Sequence, residues 1–372
     1  MSATFVPTLS VDGTATAYRL YDVGYGIGLD HAAELAGADT RGRSLPGRAE
    51  AQAFLIRNPP LNVMLGEREV RVDGHLCRAM LAAHLFDFGV CSMRLTVDAP
   101  RGATWQEFTA FGNAFDALPD MARSFDAELT TLLARIGLAI ERQRVAQVAE
   151  EYVVFRIGRV SAAGDERRAA ELLTDDHLVP LLLSERRALS ASARREILAH
   201  RFSYYSDDLA VITWDNALVV EPRANDFDIE FVVEFANAQL LELRVYDAEL
   251  DAELPTLYDR IAAARRRLLP VRRFSSVIST LQLTIADITE IVERADNAFK
   301  VTDDVYLARI YAGALEVFRE RAWRSGIDRK LGILRDTYTM LNGEAQATRA
   351  ELLEIAIVIL IVAELLFALT RR

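Results

Sequence analysis

Few residues in this chain have the type and spacing that chemistry needs. The nearest thing to a phosphate cradle is Gly24-Tyr25-Gly26-Ile27-Gly28, which follows an apolar run. Its third glycine falls one residue early for a dinucleotide loop, and no strand ending in an acid follows at the required distance, so the segment reads as a tight turn. His75, Cys77, His84 and Cys91 carry metal-binding side chains, but their spacings match no zinc template. Both cysteines sit in apolar stretches and read as packed core. Asp175-Asp176-His177 has the residue types of an acid–base or metal cluster; capping a helix or facing solvent is the commoner use of such a triplet. The chain has no Gly-Lys-Ser/Thr loop, no HExxH, no paired CxxC and no Gly-x-Ser-x-Gly. The expectation is no enzyme: no catalytic, cofactor-binding or metal-binding residue, no cofactor and no small-molecule substrate.

Two charged features stand apart. Arg260, Arg265, Arg266, Arg267, Arg272 and Arg273 fall within fourteen residues that hold no acid. In a chain of net charge −11 such a cluster suits RNA phosphates or anionic lipid headgroups. Equally, arginines near a helix C-terminus complement its dipole and stay solvated. Glu364 is the second feature, the one polar residue among the fifteen of Ile355–Leu369. Inside lipid an ionisable group needs a partner. Arg371 on the same helix face, a neighbouring helix of an oligomer, or a proton or ion path would each supply a reason for it.

The elements that position these residues follow from pattern. At 372 residues, 51% hydrophobic and 26% charged, the chain is long enough for two or three domains. Residues 1–150 read as an α+β region. Leu20-Tyr21-Asp22-Val23-Gly24 and Leu85-Phe86-Asp87-Phe88-Gly89 echo each other, each a strand running into a Gly turn with a helical stretch after it (Asp30–Leu35 and Trp105–Phe115). That pattern raises a duplication of strand–helix halves; Arg244-Val245-Tyr246-Asp247 is a weaker third echo. Residues 151–270 read as an α/β core. It opens on the strand EYVVFRIGRV and contains a hairpin over 208–222, where Asp215-Asn216 separates two β-rich runs. IEFVVEFANAQ then reads as a helix, LLELRVYD as a strand and Glu249–Arg267 as a helix.

From 271 to 353 the pattern is a helical stalk. Ile327, Leu331, Leu334, Tyr338, Leu341, Ala345, Leu352 and Ile355 repeat at four-three spacing, with Thr348 the polar member, which is a coiled-coil seam. It continues through Ile359, Val362, Leu366 and Leu369, so stalk and tail read as one rod with Asn342-Gly343 its weak point. The run Ile355–Leu369 is apolar on every face but for Glu364, which predicts one C-terminal transmembrane helix over 354–370 and membrane lipid as a partner. The N-terminus lacks a basic region followed by an apolar core. The expected location is therefore a bacterial inner membrane, single-pass and tail-anchored, with the other domains facing the cytoplasm.

Residues 151–369 resemble the "required for meiotic nuclear division" family, a domain of unknown function in bacteria and mitochondria. The likeness rests on DDLAVITWDNALVVEP, on VTDDVYLARIYAGALEVFRERAWRSGIDRKLGILRDTYTML and on RAELLEIAIVILIVAELL with Glu364 inside it. The resemblance implies no activity and no catalytic residue. Eukaryotic relatives are mitochondrial inner-membrane proteins that form large homo-oligomers and support translation, holding ribosomes near their insertion site. The expectation is a homo-oligomeric membrane tether or scaffold with a ribosome or RNA as partner. Two rivals remain open: a pore-forming or ion-transport subunit, and an enzyme with an unrecognised site in the N-terminal region. The pore reading borrows the stalk architecture of CorA-type magnesium channels, which need a second span.

Overall fold

A computed structural model of the chain describes residues 9–37, 54–56, 58–162, 173–183, 189–224, 226–265, 274–301 and 304–370. Alternation along Leu9–Asp22 (β1) lays down its architecture. Val11, Ala15, Ala17 and Tyr21 enter one apolar core, while Thr16, Tyr18 and Leu20 take the opposite side of the pleat. A bulge at Asp12/Gly13 resets the register. Gly26–Ile27 (β2) and Leu29–Ala36 (α1) follow, then Phe54–Ile56 (β3) and a meander of Leu61–Val72 (β4), His75–Leu85 (β5) and Val90–Asp98 (β6). Ala103–Thr104 (β7) leads into Trp105–Asp116 (α2), Met121–Ile136 (α3), Ile140–Glu141 (β8) and Ala149–Ala162 (β9). Asp175–Leu183 (α4), Ala191–Ile197 (α5) and Arg201–Phe202 (β10) precede the hairpin Leu209–Ile212 (β11) and Asn216–Val220 (β12). The rest is helical apart from Phe299–Val301 (β13): Asp228–Arg265 (α6), Ser275–Ala298 (α7), Val305–Val317 (α8) and Glu320–Thr370 (α9).

One mixed sheet runs β10-β11-β12-β9-β1-β6-β5-β4, with β7 paired to β1. Neighbours are antiparallel except β9 and β12, which run parallel. The sheet has two unlike faces. Odd-numbered residues such as Cys91, Met93, Val153 and Phe155 join the apolar core with Phe108, Phe111 and Phe115 of α2 and Leu129 and Leu132 of α3. A capping box starts α2: the Thr104 hydroxyl accepts from the Glu107 amide while the Glu107 carboxylate accepts from the Thr104 amide at 2.8 Å. The two echoed turns meet. Val23 N–H donates to the Gly89 carbonyl at 2.9 Å, and Gly89, at φ +100°, comes so near that a Cβ there would lie 1.9 Å from the Gly24 oxygen.

The chain divides into two compact units, residues 1–245 with 294–321, and residues 246–293 with 322–372. The first holds the sheet; the described residues of the second are helical but for a bend at Phe274. In the second unit Leu250, Leu257 and Ile261 of α6, Val277, Leu281 and Ile288 of α7, and Ile327, Leu331, Leu334 and Leu341 of α9 are buried. Lys330 pairs with Asp247 at 2.7 Å and Asp251 at 2.6 Å, and Gln282 donates to Tyr338 at 2.9 Å. The predicted seam is thus occupied in its first half by helices of the same chain. Asn342-Gly343 does not interrupt α9.

Three expectations are corrected. Among the described residues no helix is long and apolar enough to cross a membrane, so the transmembrane helix, the tail anchor and the inner-membrane location are not supported. Glu351, Glu354 and Glu364 explain the shortfall. Only the nine residues 355–363 separate the last two, about 13 Å of helix against the ~30 Å of a hydrocarbon core. LLELRVYD is not a strand: it lies inside α6. From Ile229 to Leu243 every residue of that helix is buried, so neither a helical nor a strand period shows in the run. The third echo, at Arg244-Val245-Tyr246-Asp247, falls in the same helix and is no strand.

Candidate functional site

The opposite face of the sheet is buried too and carries a polar patch among apolar residues such as Leu20, Ala82 and Val154. His84 on β5, Ser92 and Arg94 on β6, Tyr18 on β1 and Arg156 on β9 share it, and α6 presents Glu230 and Glu234, one helical turn apart, to them. Arg156 forms an ion pair with Glu230, and its second guanidinium nitrogen donates to the Arg223 carbonyl at 2.9 Å. His84 Nδ1 lies 2.9 Å from Glu234 Oε2, with Arg94 3.8 Å from the same oxygen. Burial works against the Glu234 charge, but His84 and Arg94 outweigh it and hold the carboxyl below its usual range. Burial and then the Arg94 charge push His84 down, so the ring is the neutral donor of this contact. Glu230 goes the other way: desolvation raises it against the pull of Arg156.

The layer has the residue types of a hydrolytic triad, Ser92, His84 and Glu234, without its geometry. Ser92 is wholly buried and its hydroxyl is within hydrogen-bonding geometry of no other described side chain, so no exposed nucleophile is paired with a base. What the arrangement does is hold α6: two carboxylates on one helix face are matched by two arginines and a histidine from three strands. On the apolar side of β1 a cleft of about 420 Å³ opens between strands and helices, lined by Arg19, Asp116, Asp120, Met121, Phe125 and Asp215 among others. Arg19 is engaged with Glu151 and Asp126. Burial and then the neighbouring Asp215 raise the Asp116 carboxyl.

The second unit offers a different surface. Lys330 meets Asp247 and Asp251, so α6 runs alongside α9 in the same sense; Gln282 meets Tyr338 and Thr289 meets Arg335, so α7 runs against it. Carried along these registers, the described parts of α6 and α7 stop at Arg265 and Ser275, opposite about residue 346 of α9. Exposure follows suit. Leu341 is buried, Ala345 and Thr348 are half-buried, and from Leu353 to Phe367 every residue of α9 is exposed, Ile359 by 62% and Leu360 by 70%.

Residues 12–227 match the family described as uncharacterized protein MJ0711, N-terminal domain. This chain belongs to that family. Uncharacterized protein MJ0711 of Methanocaldococcus jannaschii is 23% identical over 194 residues, which cover 52% of this chain and 59% of that relative. The chain therefore spans about 59% of the length of the curated relative it matches. No solved structure matches the chain. Family membership covers the sheet with its helices and the hairpin, and the matched span ends one residue before α6.

Against this frame the residues singled out in the sequence scatter. Arg260 is paired with Glu253 at 2.9 Å on α6, and Arg265 closes that helix. Arg266, Arg267, Arg272 and Arg273 lie outside the described residues, as does Arg371, the intrachain partner considered for Glu364. Glu364 stands on the exposed part of α9. His75 and Cys77 are at the tip of the β4–β5 hairpin, Cys91 faces the apolar core and His84 the polar layer, so the four do not converge. Among the described residues no group of three His, Cys, Asp or Glu side chains could hold a metal ion. In Asp175-Asp176-His177 the imidazole Nδ1 bonds the Thr174 hydroxyl at 2.9 Å, and Asp176 pairs with Arg194. Glu230, Glu234 and Arg94 were missed. The signal available was a pair of acids at i, i+4 within an otherwise apolar helix, IEFVVEFANAQ.

Proposed function

We propose that this chain is a non-enzymatic scaffold that works as an assembly of several copies joined through the distal part of α9. The observation that carries the reading is the overhang. From Ile355 to Phe367 α9 is apolar but for Glu364 and exposed throughout, beyond the described parts of both helices that bury its proximal seam. Surface of that kind in water is a contact surface. The partner is argued from continuity: the four-three seam that packs inside the unit continues in register through Leu352, Ile355, Ile359, Val362 and Leu366, and a second copy carries the complementary seam. The likeness of residues 151–369 to the "required for meiotic nuclear division" family supports the same class of role, because its eukaryotic members form large homo-oligomers and support translation. A ribosome or RNA is then the cargo, with the arginines between 260 and 273 as its contact. The titratable cluster in the sheet unit supports structure over catalysis, since its charges neutralise one another around α6.

The test is the mass of the full-length protein in solution by light scattering, beside an Ile355→Asp/Ile359→Asp variant. Several copies for the parent and one for the variant is the expected result. A parent that runs as one copy at micromolar concentration overturns the reading.

A second reading has one observation in its favour. The 420 Å³ cleft by Asp116 and Asp215 has the volume of a small-molecule site, which is what an enzyme of unrecognised type would need. A rise in melting temperature with any member of a nucleotide and metabolite panel, lost in Asp116→Asn, would favour it.

A further inference from the structure

The loop between β10 and β11 is shaped by one buried acid. Asp208, 2% exposed, accepts from the Tyr204 amide at 2.8 Å and from the Tyr205 amide at 3.1 Å. That fixes the backbone and leaves both rings outside, Tyr204 exposed by 65% and Tyr205 by 48%. The two rings stand edge to face with centroids 4.8 Å apart, and the Tyr306 ring of α8 lies 5.5 Å from Tyr204. Tyr306 is nine-tenths buried, yet its hydroxyl has no hydrogen-bond partner among the described residues. A buried hydroxyl left unmatched is costly, so this one calls for a match from outside the fold. We infer that this ledge of three tyrosines docks an arginine-bearing segment of a partner protein. The ledge belongs to the sheet unit, and the deduction stands apart from the scaffold reading.

Charge selects the partner. The carboxylates of Asp207, Asp208, Glu221 and Asp304 outnumber the guanidiniums of Arg223 and Arg309 around the rings. Asp207 is exposed and makes no ion pair among the described residues. Such a rim has the wrong sign for nucleic acid. Aromatic faces attract cations, and a guanidinium adds the flat stacking that an ammonium lacks. The loop already does this once within the chain: Arg223 lies 5.8 Å over the Tyr205 ring while its Nε donates to Glu221 at 2.9 Å. Tyr204, the more exposed ring, has no guanidinium over it among the described residues. Burial, then the Asp208 and Glu221 charges, push the Tyr306 hydroxyl's pKa up, so it stays a neutral acceptor beside two carboxylates. An arginine laid on Tyr204 can therefore stack on a ring and donate to oxygens at the same place. The ledge is open and not concave, which suits a side chain of a docked segment and not an enclosed small molecule.

The experiment uses the full chain and fluorescein-labelled hexa-arginine, with hexaglutamate and a uridine hexanucleotide as the contrasting probes, read by fluorescence anisotropy. Hexa-arginine should bind and the other two should not. Tyr204→Ala removes a ring without altering charge and should weaken binding about fivefold, while Tyr204→Phe stays near the parent. Tyr306→Phe should also weaken binding, at an unchanged melting temperature, because the hydroxyl it removes holds nothing within the fold. Equal affinity of the parent and Tyr204→Ala overturns the ledge, leaving only the diffuse pull of a chain of net charge −11. A parent that ignores hexa-arginine, or that takes the uridine hexanucleotide in its place, overturns it as well. Parental affinity in Tyr306→Phe overturns the hydroxyl as a contact.

Discussion

His84 of β5 and Glu234 of α6 are 150 residues apart in the chain and 2.9 Å apart in the fold, joined through imidazole Nδ1 and carboxylate Oε2. With Arg94 beside them, they tie a helix that is buried on all sides to the polar face of the sheet. A buried charge of this kind is tolerable because its partners are already in place.

Removing that charge strands the partners. Glu234→Ala leaves Arg94 and His84 facing an uncompensated hole, and the expected loss is about 3–5 kcal/mol of unfolding free energy. Urea denaturation followed by fluorescence checks it. A loss under about 1 kcal/mol would mean that solvent reaches the site and compensates.

The same pair gives a pH dependence with a definite sign. The folded protein holds His84 below its ordinary value, so folding favours the neutral ring. That contribution is complete above the unfolded value, near 6.5, and declines as pH falls toward the lower folded value. Melting temperature should therefore fall between about pH 7 and 5 by more in the parent than in His84→Gln. Glu234, held low, adds a loss further into acid, as pH drops through its own folded value. A parent and a His84→Gln variant that lose stability in parallel would show that the histidine does not contribute.

Gly89→Ala tests the meeting of the two turns. At φ +100°, with a Cβ 1.9 Å from the Gly24 oxygen, the substitution meets both backbone strain and a clash. The expected cost is about 3 kcal/mol or more by urea denaturation. Gly74→Ala, also at positive φ but with nothing within 4 Å, should cost less.

Thr104→Ala removes half of the capping box at the head of α2. The expected loss is about 1 kcal/mol, read as a lower urea midpoint with an unchanged slope. Thr104→Ser keeps the hydroxyl and should stay close to the parent.

Acidic repulsion at the cleft points in the opposite direction. Asp116, raised by burial and by Asp215, favours its protonated form in the fold. Its contribution turns unfavourable as pH rises through the raised value. Both carboxylates are exposed to screening water, so Asp116→Asn should raise the melting temperature at pH 7 only slightly and make little difference at pH 4.

The strands with a clean alternation were legible from residues alone. β1 alternates along its length, the β11–β12 hairpin is marked by two β-rich runs about Asp215-Asn216 although both its faces are buried, and the seam of α9 keeps a four-three period. LLELRVYD was not legible, because its first four residues end the stretch from Ile229 to Leu243 that is buried on every side, where no period separates strand from helix. The tail misled for a related reason: all-round apolarity marks a surface that avoids water without saying what replaces it, and acids at 351, 354 and 364 leave too short a run for lipid. Only the fold could bring His84, Arg94 and Glu234 together, because α6 must close onto the β5–β6 pair, 150 residues away in the chain, before a glutamate in a mostly apolar helix acquires a counter-charge. Only the fold, likewise, could divide the α9 seam into a satisfied half and a bare half, since where α6 and α7 end along it is a matter of packing registers and not of any residue in α9 itself.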